Sequence, residues 1–173
     1  MAELIFITGG CKSGKSKFAV ELAKKTGGKV LFIATCIPKD KEMKERVRIH
    51  KLNRPKNWDT VEEEKDLVSL IKNVKGKYKC ILIDCLTILI SNLLLNKKNK
   101  KYIEKEMEEL ARISRETNSR VIVISNEVGS GIVPGNKIAR EFRDIAGIVN
   151  QKLASFADEV YLVVSGIPVK IKG

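Results

Sequence analysis

The residues GGCKSGKS, Gly9 to Ser16, satisfy the pattern G-x-x-x-x-G-K-[ST], which carries a definite chemistry. Glycines let the backbone curl until successive N–H groups point inward at phosphate oxygens, and a helix starting there adds positive potential. In this reading Gly9, Gly10, Cys11, Lys12, Ser13 and Gly14 line the cradle. Lys15 reaches the β- and γ-phosphates, and the Ser16 hydroxyl ligates Mg²⁺. A ligand-free glycine-rich turn could carry the same letters, but here an apolar run precedes the motif and an amphipathic one follows it. Such a loop needs a carboxylate to complete the magnesium shell, usually at the end of a hydrophobic strand. Asp84, closing CILID, stands in that position. It could equally cap the helix that follows, LTILISNLLL, and the two roles are compatible. Together these residues indicate nucleotide phosphates bound with magnesium. They leave kinase, nucleotidyltransferase and NTPase open.

The one histidine, His50, lies in RVRIHKLNRPKNW among Arg46, Arg48, Lys51, Arg54 and Lys56. Met43, Val47 and His50 recur at i, i+4 and i+7, so it continues the less polar face of a basic helix. On that pattern alone it is as readily a surface residue as a nucleophile. Four cysteines (Cys11, Cys36, Cys80, Cys85) show no CxxC spacing, which argues against structural zinc. They read as reduced thiols, three of them acting as small hydrophobes in or beside apolar runs. In NEVGSGIVP, Asn126 and Glu127 could meet substrate or water while Gly129 and Gly131 shape a tight loop; a purely structural turn is the alternative.

These residues must be positioned by strands and helices, and the chain supplies both. LIFI (4–7), VLFIA (30–34), CILID (80–84), VIVIS (121–125) and VYLVV (160–164) are short, nearly continuous apolar runs. That is the mark of a parallel sheet covered on both faces. Between them, GKSKFAVELAKK places Phe18, Ala19, Leu22 and Ala23 on one stripe and stops at Gly27-Gly28. DKEMKERVRIHK starts with Asp40 as its N-cap and is stopped before Pro55. YIEKEMEELARISRE repeats Ile103, Met107, Leu110 and Ile113. NKIAREFRDIAGIVNQKLASFA repeats Ile138, Phe142, Ile145, Val149 and Leu153. A final PVKIKG could add an antiparallel edge strand. The expectation is one α/β domain over 1–173, a mainly parallel sheet flanked by helices.

The net charge of +12 suits nucleic acid, but it suits small polyanions such as nucleoside triphosphates equally. Aromatics are 5% of the chain, and no RNP-like or zinc-finger pattern interleaves with the basic residues. The run NKKNKK (96–101) reads as a solvated loop. No apolar run is long enough to span a bilayer, and the N-terminus lacks the basic region of a signal peptide. The expectation is a cytoplasmic protein.

FITGGCKSGKSKFAVELA, FIAT, RIHKLNRPKNW and the block SNEVGSGIVPGNKIAREFRDIAGIVNQKLASFADEVYLVVSGIPVKIKG together resemble the bifunctional adenosylcobinamide kinase/adenosylcobinamide-phosphate guanylyltransferase family. The resemblance covers nearly the whole chain, weakest over 64–79 and 95–120. The C-terminal block is its most specific part, since many families share the phosphate-binding loop. It implies a P-loop NTPase-type fold and a place late in adenosylcobalamin assembly. A nucleoside triphosphate (GTP or ATP) phosphorylates the aminopropanol hydroxyl of adenosylcobinamide. GMP from GTP is then transferred to that phosphate through a covalent histidine, with release of pyrophosphate. The nucleophile of the family matches His50. Nucleotide contacts map onto residues 9–16, onto Ala34, Thr35 and Cys36, onto Lys51, Leu52, Asn53 and Arg54, and onto Glu62 and Asp84. The resemblance further implies a homo-oligomer, a trimer, whose His50 helix approaches a neighbour's nucleotide site, with no nucleic-acid partner. Three positions depart from the family pattern: Ile49 where a second histidine is frequent, Asn53 for glycine, and Asp84 for glutamate. The chemistry suits the residues. Neutral imidazole is both nucleophile and leaving group near pH 7. Arg48, Lys51 and Arg54 would stabilise phosphate charge and hold the imidazole neutral.

Overall fold

In the computed structural model, residues 3–38, 41–52 and 54–173 are described; within 41–52 the described side chains are Lys41, Lys44, Glu45, Val47, Arg48 and Lys51. The chain runs β1 (Glu3–Gly9), α1 (Lys15–Thr26), β2 (Val30–Ala34), α2 (Lys41–Leu52), β3 (Asp59–Glu62), α3 (Leu67–Val74), β4 (Cys80–Asp84), α4 (Leu86–Leu95), α5 (Lys100–Ser114), β5 (Arg120–Ile124), α6 (Lys137–Phe156), β6 (Glu159–Val164) and β7 (Ile167–Lys172). The strand order is β3-β2-β4-β5-β1-β6-β7. Every pairing is parallel except β6 with β7. The expected mainly parallel sheet and its antiparallel C-terminal edge are both present.

The continuous apolar runs follow from where the strands lie. Each of β2, β4 and β5 is covered on both faces, so Leu31, Ile33, Ile81, Ile83, Val121 and Val123 enter one core layer while Phe32, Leu82, Ile122 and Ile124 enter the other. Burying each such side chain contributes about 1.5–3 kcal/mol. On the second face α1 packs through Ala19 and Ala23, with Phe18 and Leu22 at its margin. Gly27, at φ 67, ends it in the left-handed region that a side chain disfavours. Helices α3 to α6 cover the first face, and the stripe Ile103, Met107, Leu110 and Ile113 of α5 is fully inside.

Three details differ from the sequence reading. The lysine run 96–101 is not all loop, because Asn99 accepts a hydrogen bond from Tyr102 N and starts α5 at Lys100. Ile138 is 63% exposed, and the buried residues of α6 begin only at Ile145. Two elements are absent from the sequence reading: β3, at the sheet edge, which carries no obvious signal, and the two-turn α3, whose Asp66 cap and apolar stripe Leu67, Leu70, Ile71 and Val74 were legible. The expected helix over 40–51 is present as α2; Asp40 as its cap, and the side chains of Met43 and His50, lie outside the described residues. Among the described residues no helix is long and apolar enough to cross a membrane.

The register decides where chemistry can occur. Ala34 pairs with Asp84, Asp84 with Ile124, and Ile124 with Ile7. The C-terminal ends of β2, β4 and β5 therefore finish level along one edge of the sheet, and β1 runs past them from Ile7 to Gly9. Ligands of open parallel sheets bind at that edge.

Candidate functional site

At the end of β1 the backbone turns sharply, and two glycines make the turn sterically feasible. A Cβ on Gly9 (φ 151) would sit 2.4 Å from the Val163 carbonyl oxygen. One on Gly14 (φ 99) would sit 3.1 Å from Gly166 Cα. Between them Ser13 N donates to Gly10 O (3.2 Å), and Gly166 N donates to Ser13 O (2.8 Å). Helix α1 begins at Lys15, with no acidic residue in its first turn to offset the positive end of its dipole. Lys15 is 6% exposed, and its Nζ donates to Gly10 O (2.6 Å) across the mouth of the loop. Burial lowers its pKa below the ordinary lysine value, against the opposing pull of Cys85, Asp84 and Cys11.

Ser16 donates to Asp84 Oδ2 at 2.9 Å. A hydroxyl of the loop and a carboxylate 68 residues away are thus brought together at the ends of β1 and β4. The N-cap position of α4 is Cys85, whose side chain makes no capping bond. Thr35 holds this junction: its hydroxyl donates to Cys85 O (2.7 Å) and accepts from Cys85 N (2.9 Å). Its own N–H bonds Asp84 O and its carbonyl accepts from Asn92. Of the expected 34–36 contact, Ala34 and Thr35 are therefore buried and engaged within the protein, and Cys36 is half-exposed. The two thiols at the ends of β4 are inert: burial pushes both Cys80 and Cys85 up to about 11. Cys11 is exposed on the loop.

Two clefts adjoin this corner. One, about 450 Å³, is bordered by Ser16, Asp84, Phe32, Val20 and Arg54. The other, about 570 Å³, is bordered by Lys51, Arg54, Trp58, Thr60 and Glu62. Arg54 belongs to both. Its guanidinium lies 3.8 Å above the Phe32 ring, and its Nε and Nη1 are buried with no hydrogen-bond partner among the described residues. Burial lowers its pKa from the ordinary arginine value, while Asp84 and Glu62 pull it back up. Two buried donors on this half-buried cation constitute an acceptor-seeking group, as an oxyanion site requires. In the second cleft Lys51 Nζ meets Glu62 Oε1 at 2.8 Å. The structure thus unites Lys51, Arg54 and Glu62, and separately Lys15, Ser16 and Asp84, with Arg54 as the link. His50 lies on α2 one residue before Lys51. The expected contacts through the His50 and Leu52 side chains and through Asn53 lie outside the described residues.

Beyond β5, Glu127 N donates to Gly9 O (2.9 Å), and Glu127 Oε1 accepts from Gly129 N (2.7 Å). Asn126 is fixed from both sides, its N–H on Thr87 Oγ1 and its carbonyl on Asn150 Nδ2. Arg143 Nη2 donates to Gly129 O (2.7 Å), so the loop is stapled to α6. Gly131 is exposed within it. One contributor had a legible signal that the sequence reading passed over. The pair Ser165-Gly166, with φ 51 and 84, is the type of turn that joins two hairpin strands, and it buttresses the loop through Ser13. Phe32 had none, being one more apolar residue in a buried strand.

This arrangement matches a known family along nearly its entire length. The profile described as cobinamide kinase / cobinamide phosphate guanyltransferase matches residues 5–171. The chain is 43% identical over 98% of its length to the bifunctional adenosylcobalamin biosynthesis protein CobU of Salmonella typhimurium, covering 99% of that protein. It is 41% identical to the Escherichia coli protein of the same name, with the same coverage. It is 37% identical to the bifunctional adenosylcobalamin biosynthesis protein CobP of Pseudomonas aeruginosa, over 96% of each chain. Among solved structures, a KaiC-like protein from Pyrococcus horikoshii shares the fold with a TM-score of 0.52 over 93% of this chain and 70% of that one, at 16% identity. Its loop, its sheet and its full-length sequence agreement place the chain in the cobinamide kinase/cobinamide phosphate guanyltransferase family of transferases.

Proposed function

We propose that the protein phosphorylates adenosylcobinamide with a nucleoside triphosphate, then transfers GMP from GTP through a covalent guanylyl-His50 to give adenosylcobinamide-GDP and pyrophosphate. The observation that carries this reading is the junction of Lys15, Ser16 and Asp84 within a chain that matches the family from end to end. The loop amides of residues 9–14 and the Lys15 ammonium bind the triphosphate, and burial of Lys15 strengthens its field there. Ser16 and Asp84 offer two hard oxygen ligands 2.9 Å apart. Among the described residues no cluster of three or more His, Cys, Asp or Glu could hold a metal by protein ligands alone. That donor set fits Mg²⁺, which favours one or two protein oxygens with phosphate and water completing its shell. When bound, Mg²⁺ would neutralise charge on the transferring phosphates.

Arg54 aims unpaired donors at the boundary of the two clefts and would hold a phosphate between them. Lys51 and Glu62 would supply the rest of the nucleotide contact, which the family match extends to Leu52 and Asn53. Thr35 contributes by fixing the turn that carries Asp84, with Cys36 the accessible member of its segment. For His50 the support is its place on α2 beside Lys51, its uniqueness in the chain, and its match to the family nucleophile. The whole chain would act as one domain, as a cytoplasmic homotrimer, with small molecules rather than nucleic acid as partners. GTP labelled at the α- and γ-phosphates, incubated with and without adenosylcobinamide, tests the reading. Label from the α position should stay on the protein without a corrinoid, and label from the γ position should pass to the corrinoid. If neither transfer occurs, the reading is wrong.

A further inference from the structure

We infer that Glu127 is the general base of the phosphoryl-transfer step; this rests on the kinase half of the reading above. Its placement is the first argument. The β1–β5 ladder does not end with the strands, since Ser125 N donates to Ile7 O and Glu127 N to Gly9 O, both at 2.9 Å. Glu127 is therefore hydrogen-bonded to the first glycine of the phosphate-binding loop. The preceding residue is held by Thr87 and by the buried Asn150, and the following loop by Arg143. A side chain mounted this way is positioned by the sheet rather than by a mobile loop.

The second argument is the state of its carboxylate. Oε1 accepts from Gly129 N at 2.7 Å. Among the described residues no cation pairs with Glu127, and Oε2 has no protein partner. The other carboxylates at this edge are differently committed. Asp84 accepts from Ser16, Glu62 pairs with Lys51, Glu64 pairs with Lys65, and Glu63 accepts from Lys65 N and Asp66 N. Glu62 also stands on β3, separated by β2, β4 and β5 from the strand that feeds the loop. A hydroxyl attacking a terminal phosphate needs a proton acceptor within hydrogen-bond reach, and Glu127 is the carboxylate placed beside the loop to serve. In the step, the acceptor hydroxyl oxygen forms a bond to the γ-phosphorus as the bond to the β–γ bridging oxygen breaks. The hydroxyl proton passes to Glu127 Oε2, and the nucleoside diphosphate leaves.

The test measures nucleoside diphosphate release by the full-length protein with adenosylcobinamide, across pH. Glu127→Gln retains an oxygen for Gly129 N–H but cannot take the proton. It should lower kcat of the kinase step about a hundredfold, leave the KM for nucleotide within threefold, and abolish the fall in kcat toward acid that the wild-type carboxylate imposes. Glu127→Asp should recover part of the rate. Retention of α-label from GTP by the Glu127→Gln protein, at an unchanged melting temperature, should accompany the loss. A Glu127→Gln kcat within fivefold of wild type, or an intact acid limb, overturns the inference. So does a joint loss of labelling, stability and kinase turnover, which would mark Glu127 as a loop anchor. Wild-type protein that turns over no adenosylcobinamide refutes the kinase reading itself, and this inference with it.

Discussion

Replacing Asp84 by asparagine separates charge from shape at the centre of the site. The asparagine oxygen can still accept from Ser16 Oγ, which donates to the carboxylate at 2.9 Å. The cap position of α4 is Cys85, so the helix start is retained. The stability change should stay within about 1 kcal/mol, a shift of roughly 2–4 °C in Tm for a chain of this size. The electrostatic change is larger and has two signs. The carboxylate attracts both Lys15 and Arg54, but it repels a triphosphate bound between them. At an effective dielectric of about 20, a unit charge roughly 8 Å away contributes about 2 kcal/mol; partial exposure of Asp84 reduces that to about tenfold in affinity. Without Mg²⁺, Asp84→Asn should therefore bind GTP about tenfold more tightly than wild type. With Mg²⁺ the order should reverse, and half-maximal activity should need at least tenfold more of the ion. Titration calorimetry with and without Mg²⁺, and activity against Mg²⁺ concentration, report both signs. Unchanged Mg²⁺ dependence together with a large fall in Tm would show that Asp84 acts structurally.

Other changes test neighbouring parts of the reasoning. His50→Asn should abolish α-label from GTP while sparing phosphorylation of the corrinoid; the wild-type label should be acid-labile and alkali-stable, as a phosphoramidate is, and label on the variant would assign another nucleophile. Lys15→Met should lower kcat/KM by a hundredfold or more, about 3 kcal/mol, yet not lower Tm at neutral pH, because it removes a buried charge; a fall above ~4 °C would contradict the desolvation argument. Because burial lowers the Lys15 pKa, nucleotide affinity should decline on the alkaline side before pH reaches the ordinary lysine value. Stability carries the opposite sign, since the unfolded chain holds that proton more tightly and deprotonation favours the fold; the affinity limb should be absent in Lys15→Met. Thr35→Val keeps the shape but strands the N–H of Cys85 in a buried place, while the Cys85 carbonyl keeps only its bond from Leu89 N. It should cost about 3 kcal/mol and depress Tm by roughly 6–12 °C; a smaller shift in thermal melting would mean that the β4–α4 junction relaxes.

Much of this protein can be read along the chain because its information is local. The phosphate-binding loop depends on consecutive residues whose glycines permit one backbone path. The five apolar runs depend on burial of both sheet faces, which leaves a continuous signal in each strand. Helix α5 is legible because its stripe recurs with the helical period, and α1 because Gly27-Gly28 end it. Local signals fail where a residue's role comes from a distant partner. Strand β3 is four residues, alternately half-buried and exposed, whose strand character comes from pairing with β2. Ile138 fits the helical stripe of α6 yet stays exposed, because the packed part of that helix begins at Ile145. Thr35 looks like a site residue, and only the folded chain shows its hydroxyl holding Cys85, fifty residues away. Phe32 beneath Arg54 and Glu127 beside Gly9 are likewise products of strand order. The sequence by itself determined which chemical groups are available, since spacing along one segment dictates local geometry. The tertiary structure decided which of them meet, because hydrogen bonds and charges act over a few ångströms of space whatever the separation along the chain.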